Sequence, residues 1–464
     1  MHTKDRLQLS SGAVSVSVAV VLGAFTGSEL CADNWSKFLG ERGDSTSSET
    51  NLVERWDASG PKLSWSVPIG TGYSAPSIRG HRLFVHHRKA DNEIVDCLDA
   101  STGTKIWSYA YQSDFVDPFG YNNGPRATPL VTEDHCFTFG AEGKLLCLDV
   151  ASGKKVWERD TNKEWTIPQA FFGVGSSPII HSNKLVLMIG GQPNSGVVAV
   201  SPQTGKTIWE SVGLSNWQAK PMHGWPGELK VDWRIHEKQA SYASPVPAII
   251  HGKERILCLM RQGLVAIDPS NGLVDDSFWF RARVNESVNA SNPVVLENGI
   301  FISSAYYRSG SVMLDVDAKD RRFVERWRSP HIETHWMTPV VVNGVIYAFS
   351  GRNEPDARLT CFDLRSAKLL WSQDQSWQKH SSEPVAKYGR GSIIFADKKL
   401  IVLGETGLLG IYKPNIETPT EVCRFKPPML NYPCWTAPIL SEGHLFLRSE
   451  EALVCYDLRA PSAK

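Results

Sequence analysis

The chain has no run of charge of one sign and no excess of either: Lys plus Arg and Asp plus Glu each total 49. Without a net field there is nothing to draw in nucleic acid or anionic lipid, and nucleic-acid binding is set aside. No two of the nine cysteines are adjacent. There is no CxxC and no HExxH, so no spacing of the metal-ligand kind. A G-x-S-x-G elbow, a phosphate loop and a dinucleotide fingerprint are missing as well, which removes the common hydrolase and nucleotide chemistries. One long hydrophobic run exists, near 13–25, preceded by His2, Lys4 and Arg6 and followed by TGSELCA. That order of basic, apolar and polar segments predicts a signal peptide over 1–32, with export to the periplasm or the outside and no membrane span in the mature chain. A lipid anchor on Cys31 wants small residues just before it, and Glu29 and Leu30 argue against one.

What the chain has in quantity is tryptophan, 16 residues, and their spacing explains them. The stretch 145–157, LLCLDVASGKKVW, runs from an apolar strand through a turn to a second strand ending on a large aromatic. A small residue, Asp two residues on, Gly six on and Trp ten on recur as Cys97, Asp99, Gly103, Trp107 and as Cys147, Asp149, Gly153, Trp157. Ala199, Gly205 and Trp209 fit with Ser201 in place of the acid. Cys361, Asp363 and Trp371 fit with Ala367 in place of the glycine. The unit reads as a hairpin whose turn needs a left-handed residue, which glycine adopts cheaply. A slot shared by Cys and Ala is a tight, buried strand position, so those cysteines read as packing rather than disulfides. Cys136, Cys258, Cys423 and Cys434 lie outside it, with pairing left open.

A second pattern precedes each hairpin: a small residue, Pro, an apolar strand, a turn and another strand. It occurs at Pro76, Pro129, Pro178, Pro245, Pro293, Pro339 and Pro438, and 391–403 repeats it without the proline, giving eight units. Trp279 and Trp327 are expected as the aromatics of units four and five, although in unit four Asp276 sits where Trp is expected after Gly272, and Phe425 as that of unit seven. The last unit, 453–458, stops before its closing aromatic, while 63–67 (LSWSV) is half a unit without a partner. Joining the two closes a ring and leaves no sheet edge. Units of roughly 45 to 55 residues with four strands each predict an all-β, eight-bladed β-propeller over 63–460. Residues 33–62 are expected as an extended arm over the surface, 215–242 as an insertion, and the whole as a monomer.

This repeat resembles that of the pyrroloquinoline quinone type propellers, the superfamily of the quinoprotein alcohol dehydrogenases and of the propeller lipoprotein of the outer-membrane β-barrel assembly machinery. The resemblance covers nearly all of the mature chain. It implies the fold but not one function, because the motif residues Asp99, Gly103, Trp107, Asp149, Gly153, Trp157, Gly205, Trp209, Asp363 and Trp371 are blade packing. The quinoproteins carry adjacent cysteines over the quinone, a calcium held by acidic and amide side chains, and an aspartate base. The cysteines here are not adjacent.

Function is therefore sought in the loops that do not repeat, on the wide face of the ring. FVDPFGYNNGPR (115–126), EWTIPQAFFGV (164–174) and KYGR (387–390) are long or unusual. Arg126 and Arg390 are expected to point at the channel mouth, there to grip a carboxylate or phosphate or else to bond loop carbonyls. Trp165, His335, Trp336 and Trp435 join them as candidates. The insertion carries His223, Trp225, Trp233 and His236, read either as an aromatic lid for a planar ligand or sugar or as a private core. Glu405 is a lone carboxylate without a partner for glycoside hydrolysis. With no catalytic residue, metal or cofactor assigned, the leading expectation is an exported, non-catalytic scaffold for a protein partner or small ligand. The alternatives are a divergent dehydrogenase using pyrroloquinoline quinone with calcium, and a carbohydrate-binding propeller.

Overall fold

The computed structural model describes residues 34–461 except 169–170, 219–221, 236–239, 298, 318, 320–321, 353–355 and 374–386. The expected signal peptide, Cys31 and His236 lie outside the described residues. Eight four-stranded antiparallel sheets follow one another along the chain, with strands in sequence order from the innermost outward. They span 77–112, 130–160, 179–211, 246–279, 294–329, 340–372 and 391–425 as blades 1 to 7. Blade 8 combines 439–457 with the strand Lys62–Pro68, which pairs antiparallel with Ala452–Asp457 and closes the ring as expected.

The hairpin motif is what joins each blade to the next. In blade 2 Cys147 lies opposite Trp157, and in blade 3 Ala199 lies opposite Trp209. Each indole N–H crosses to a turn carbonyl of the following blade: Trp107 to Val150 at 2.9 Å, Trp157 to Pro202 at 2.8 Å, Trp209 to Pro269 at 3.1 Å. Trp65, Trp327 and Trp371 donate to Ala100, Leu364 and Asn415 in the same way. The glycine of the turn beneath is required twice over. Gly205 has φ +69°, and a Cβ there would meet the Trp157 ring at 2.8 Å. Asp149 holds the turn, accepting from the Ser152 N–H at 2.8 Å, and the Ser152 hydroxyl lowers its pKa.

Two wedges differ from the sequence expectation. Opposite Ala266 in blade 4 stands Asp276, at the spacing the other blades use for their tryptophan, and Trp279 lies three residues further on. Its carboxylate accepts the Phe323 N–H of blade 5. In blade 7 the position opposite Ile411 is Cys423. Phe425, two residues on, still does the packing, against Gly60 and Tyr456. No cysteine pairing forms: all eight described cysteines are free thiols, seven of them buried.

The small residue before each proline forms an inner belt. The N–H of Thr128 donates to Ser177 Oγ at 2.9 Å, Ser177 to Ser244 Oγ at 2.9 Å, Ser244 to Asn292 Oδ1 at 2.7 Å, and Asn292 to Thr338 Oγ1 at 3.1 Å. One blade's backbone is thus satisfied by the next blade's side chain.

The first part of the arm, 34–47, does not lie over the surface, whereas most residues from 48 to 62 are exposed. Asn34 accepts from Gly80 at the narrow face, and Trp35 exchanges two 2.9 Å backbone bonds with Ile78 of the innermost strand of blade 1. The chain turns at 37–43 and returns along blade 7, where Ser45 and Ser47 bond Phe395. It leaves at Leu52, whose N–H meets Asp397 Oδ2 at 2.9 Å. With Trp35 and Leu39 only 2% and 4% exposed, this part of the arm is a plug in the channel. Its apolar side chains find there the burial that an exposed arm could not give them.

Candidate functional site

Above the plug lies a blind cup of about 200 Å³ open to the wide face. Its floor is Phe38, Leu39 and Ser45 of the arm. Its wall follows a rule: the residue two before each belt position lines the cup in every blade. Six of these are large, namely Tyr73, Arg126, Tyr242, Trp336, Arg390 and Trp435, and two are small, Gly175 and Ala290. The five expected here, Arg126, His335, Trp336, Arg390 and Trp435, are brought together. Tyr73 and Tyr242 follow from the same spacing, which the sequence contains. Asp117, Tyr121, Phe172 and Tyr306 also line the cup and come from irregular loops that no repeat predicts.

Neither arginine is free to grip an anion. Arg126 Nη2 is 2.6 Å from Asp117 Oδ2 and 2.8 Å from the Asn122 carbonyl, and its guanidinium lies over Phe115. Asp117 is 4% exposed and also caps the loop by accepting from the Phe119 N–H at 2.9 Å. Arg390 makes a forked pair with Glu405, Nη2 donating to Oε2 at 2.6 Å and Nε to Oε1 at 3.1 Å. Glu405, fully buried, takes in addition the Arg390 N–H and the Trp435 indole N–H, each at 2.8 Å. The lone carboxylate of the sequence therefore has a partner, and it is a cation.

Trp336 and Trp435, centroids 5.6 Å apart, enclose the Arg390 guanidinium at 4.5 and 5.1 Å. Arg390 Nη1 is 3.3 Å from His335 Nδ1. A guanidinium only donates, so Nδ1 is the acceptor and the proton of the neutral ring sits on Nε2. Burial, then the cations Arg390 and Arg352, holds the His335 pKa down at about 3. Tyr306 stacks on His335 at 4.9 Å, and its own hydroxyl is pushed up to about 12 by burial.

The remaining candidates lie elsewhere. Trp165 is on the outer side of blade 3, its indole donating to Glu210 at 2.9 Å with Arg159 over the ring. The insertion is not a lid over the channel. Trp217 bridges to Val274 of the outermost strand of blade 4, and Trp217, Trp233 and Trp279 pack on one another at 5.1 and 6.0 Å. Trp225 meets Trp279 edge-on at 5.2 Å and donates to the Arg281 carbonyl. The space freed by Asp276 and the displaced Trp279 is where this rim core forms. His223, in the insertion's short hairpin, has its pKa lowered chiefly by burial.

The family model described as outer membrane protein assembly factor BamB matches residues 40–223 and 227–373. The protein of that name from Yersinia pestis is 19% identical over 359 residues, covering 75% of this chain and 76% of its own. The crystal structure of BamB from Moraxella catarrhalis superposes with a TM-score of 0.55 at 13% identity, covering 87% of this chain and 99% of that one. The quinohemoprotein alcohol dehydrogenase of Comamonas testosteroni gives 0.64, also at 13% identity, over 93% of this chain and 81% of that one. At such identities both structures bear on the fold alone. The family match spans more than two thirds of the sequence, so the chain belongs to the family of the outer membrane protein assembly factor BamB.

Proposed function

We propose that this chain is an exported, non-catalytic scaffold that holds a protein partner at its wide face during assembly of outer-membrane proteins. The observation that carries the reading is a crown of apolar side chains around the cup. Val116 and Tyr432 are 69% and 60% exposed, and Phe119, Tyr121, Tyr307 and Met429 stand out with them. Exposed apolar side chains gathered on loops of one face of a rigid ring mark a protein contact. Export rests on the pattern of the first 32 residues and on the site of action in the relatives' name. Among the described residues no helix is long and apolar enough to cross a membrane.

The residues at the mouth do not suit a quinone with calcium. None of the described cysteines lines the cup. Asp117 and Glu405 are each bound to an arginine, and no group of three potential metal ligands exists among the described residues. The test is a photo-crosslinking amino acid placed in living cells at Phe119 or Tyr432 on the wide face, and at Thr102 or Ser152 on the narrow face. Discrete protein adducts are expected from the first two positions only. Equal labelling from both faces, or steady oxidation of alcohols or sugars by purified protein given the quinone and calcium, overturns the reading.

A further inference from the structure

We propose that the cup receives one neutral aromatic ring, carried on an exposed segment of the protein partner. The inference rests on the wide-face reading and adds what part of the partner is gripped. Size comes first. A closed apolar cavity of about 150 Å³ takes up benzene, so a cup of about 200 Å³ fits a single ring with a small substituent and not a helix. The plug sets the depth, because Phe38 and Leu39 stop anything that enters.

The room is left by particular residues. Six blades carry an oxygen-bearing side chain at the belt position, from Thr128 to Thr338 and then Ser392, whereas blades 1 and 8 carry Ala75 and Ala437, which line the cup. Tyr73 and Trp435 stand over these two alanines with centroids 5.0 Å apart, and Tyr121 meets Trp435 edge-on at 5.4 Å. Tilted rings at these distances offer both faces and edges to an incoming ring, the arrangement aromatic groups prefer.

Charge sets the class. Arg126 is matched by Asp117 and Arg390 by Glu405, both at 2.6 Å, so an anionic or cationic guest would have to break a buried pair. A donor is left over: His335 lines the cup, and its Nε2–H has no acceptor among the described residues, as is also true of the buried indole N–H of Trp336 beside it. A phenol oxygen satisfies that donor and a plain phenyl does not, so the geometry favours tyrosine over phenylalanine.

The test uses p-cresol, toluene and 4-methylbenzoate as probes of the purified chain, by ligand-observed NMR titration. We expect p-cresol to bind several-fold tighter than toluene and 4-methylbenzoate to bind worst. Ala437→Phe fills the cup without removing a hydrogen bond, and should weaken p-cresol at least tenfold at an unchanged melting temperature. Ala290→Phe is the second filling variant should the first fail to fold. The same filling should also diminish the wide-face crosslink at Phe119. If p-cresol does not bind while that crosslink persists, the cup assignment falls and the wide-face reading stands. If p-cresol binds but filling the cup leaves the crosslink intact, the guest is a small molecule and the partner's ring is excluded. Tighter binding of 4-methylbenzoate overturns the neutral guest.

Discussion

The backbone N–H of Ser177 donates to the Oγ of Ser244 at 2.9 Å, although the two residues belong to different blades. Both are nearly fully buried. Ser244→Ala leaves a buried N–H with no acceptor, which costs about 1–3 kcal/mol. The Ser244 N–H still meets Asn292, so the belt opens at one link only. Urea unfolding should show a lower midpoint with an unchanged slope. A change in slope would mean that the belt holds the ring together as a whole.

Gly205 supports Trp157 from the next blade, with φ +69° and the ring 2.8 Å from where a Cβ would stand. Alanine there combines a strained backbone with a clash against a ring that is itself hydrogen-bonded to Pro202. Gly205→Ala is expected to lose about 1–3 kcal/mol. Trp157→Ala, which empties the seam, should lose about 3 kcal/mol. The double variant should fall short of the sum, since both act on one contact; strict additivity in urea titrations would disprove the coupling.

These two relationships show what the sequence could reveal. The spacing of Cys147, Asp149, Gly153 and Trp157 is set by one hairpin repeated in similar surroundings, so the fold, the blade count and the closure by Trp65 were legible. In blade 4 the spacing after Gly272 already put Asp276 in the tryptophan slot, and the register agrees; only the choice of Trp279 as the substitute wedge misled. The arm misled because 33–62 has no strand period of its own and borrows its order from Ile78 and Phe395. At the cup, Arg126, Trp336 and Trp435 were found through the proline just after them, and Arg390 through its matching place in the unit that lacks the proline. Asp117 and Glu405 were not recognised as their partners, because an ion pair between distant loops leaves no local trace.

Asp276 gives a pH dependence. Burial raises its pKa above 3.8, more than the Phe323 and Ser277 N–H groups lower it. A raised folded value means that stability from this carboxyl is fully present below about 3.8 and is lost as pH rises through the folded value. Asp276→Asn keeps an oxygen for the Phe323 N–H and never ionises. Relative to the parent it should gain stability from about pH 4 upward, by at most about 1.4 kcal/mol for each pH unit climbed, levelling off above the folded value. In acid the two proteins should converge. A constant difference across the range would exclude this carboxyl as the source.

His335 titrates in the opposite sense, and it stands at the cup. Burial and the facing guanidinium groups of Arg390 and Arg352 hold its pKa down at about 3 from 6.5, while Tyr306 and Trp336 enclose the ring, with no carboxylate acting on it among the described residues. A lowered folded value means that the stability of the neutral ring is fully present above about 6.5 and is lost as pH falls toward about 3, by at most about 1.4 kcal/mol per pH unit. His335→Gln keeps an acceptor for Arg390 Nη1 and cannot take up a proton in this range. Its urea midpoint should therefore fall less steeply than the parent's between pH 6.5 and pH 4. An unchanged slope would place that acid sensitivity elsewhere in the chain. With p-cresol in excess, the parent's loss should continue to lower pH before it levels off if the phenol oxygen accepts from Nε2–H of the neutral ring, because a guest that selects the neutral form lowers the apparent pKa further.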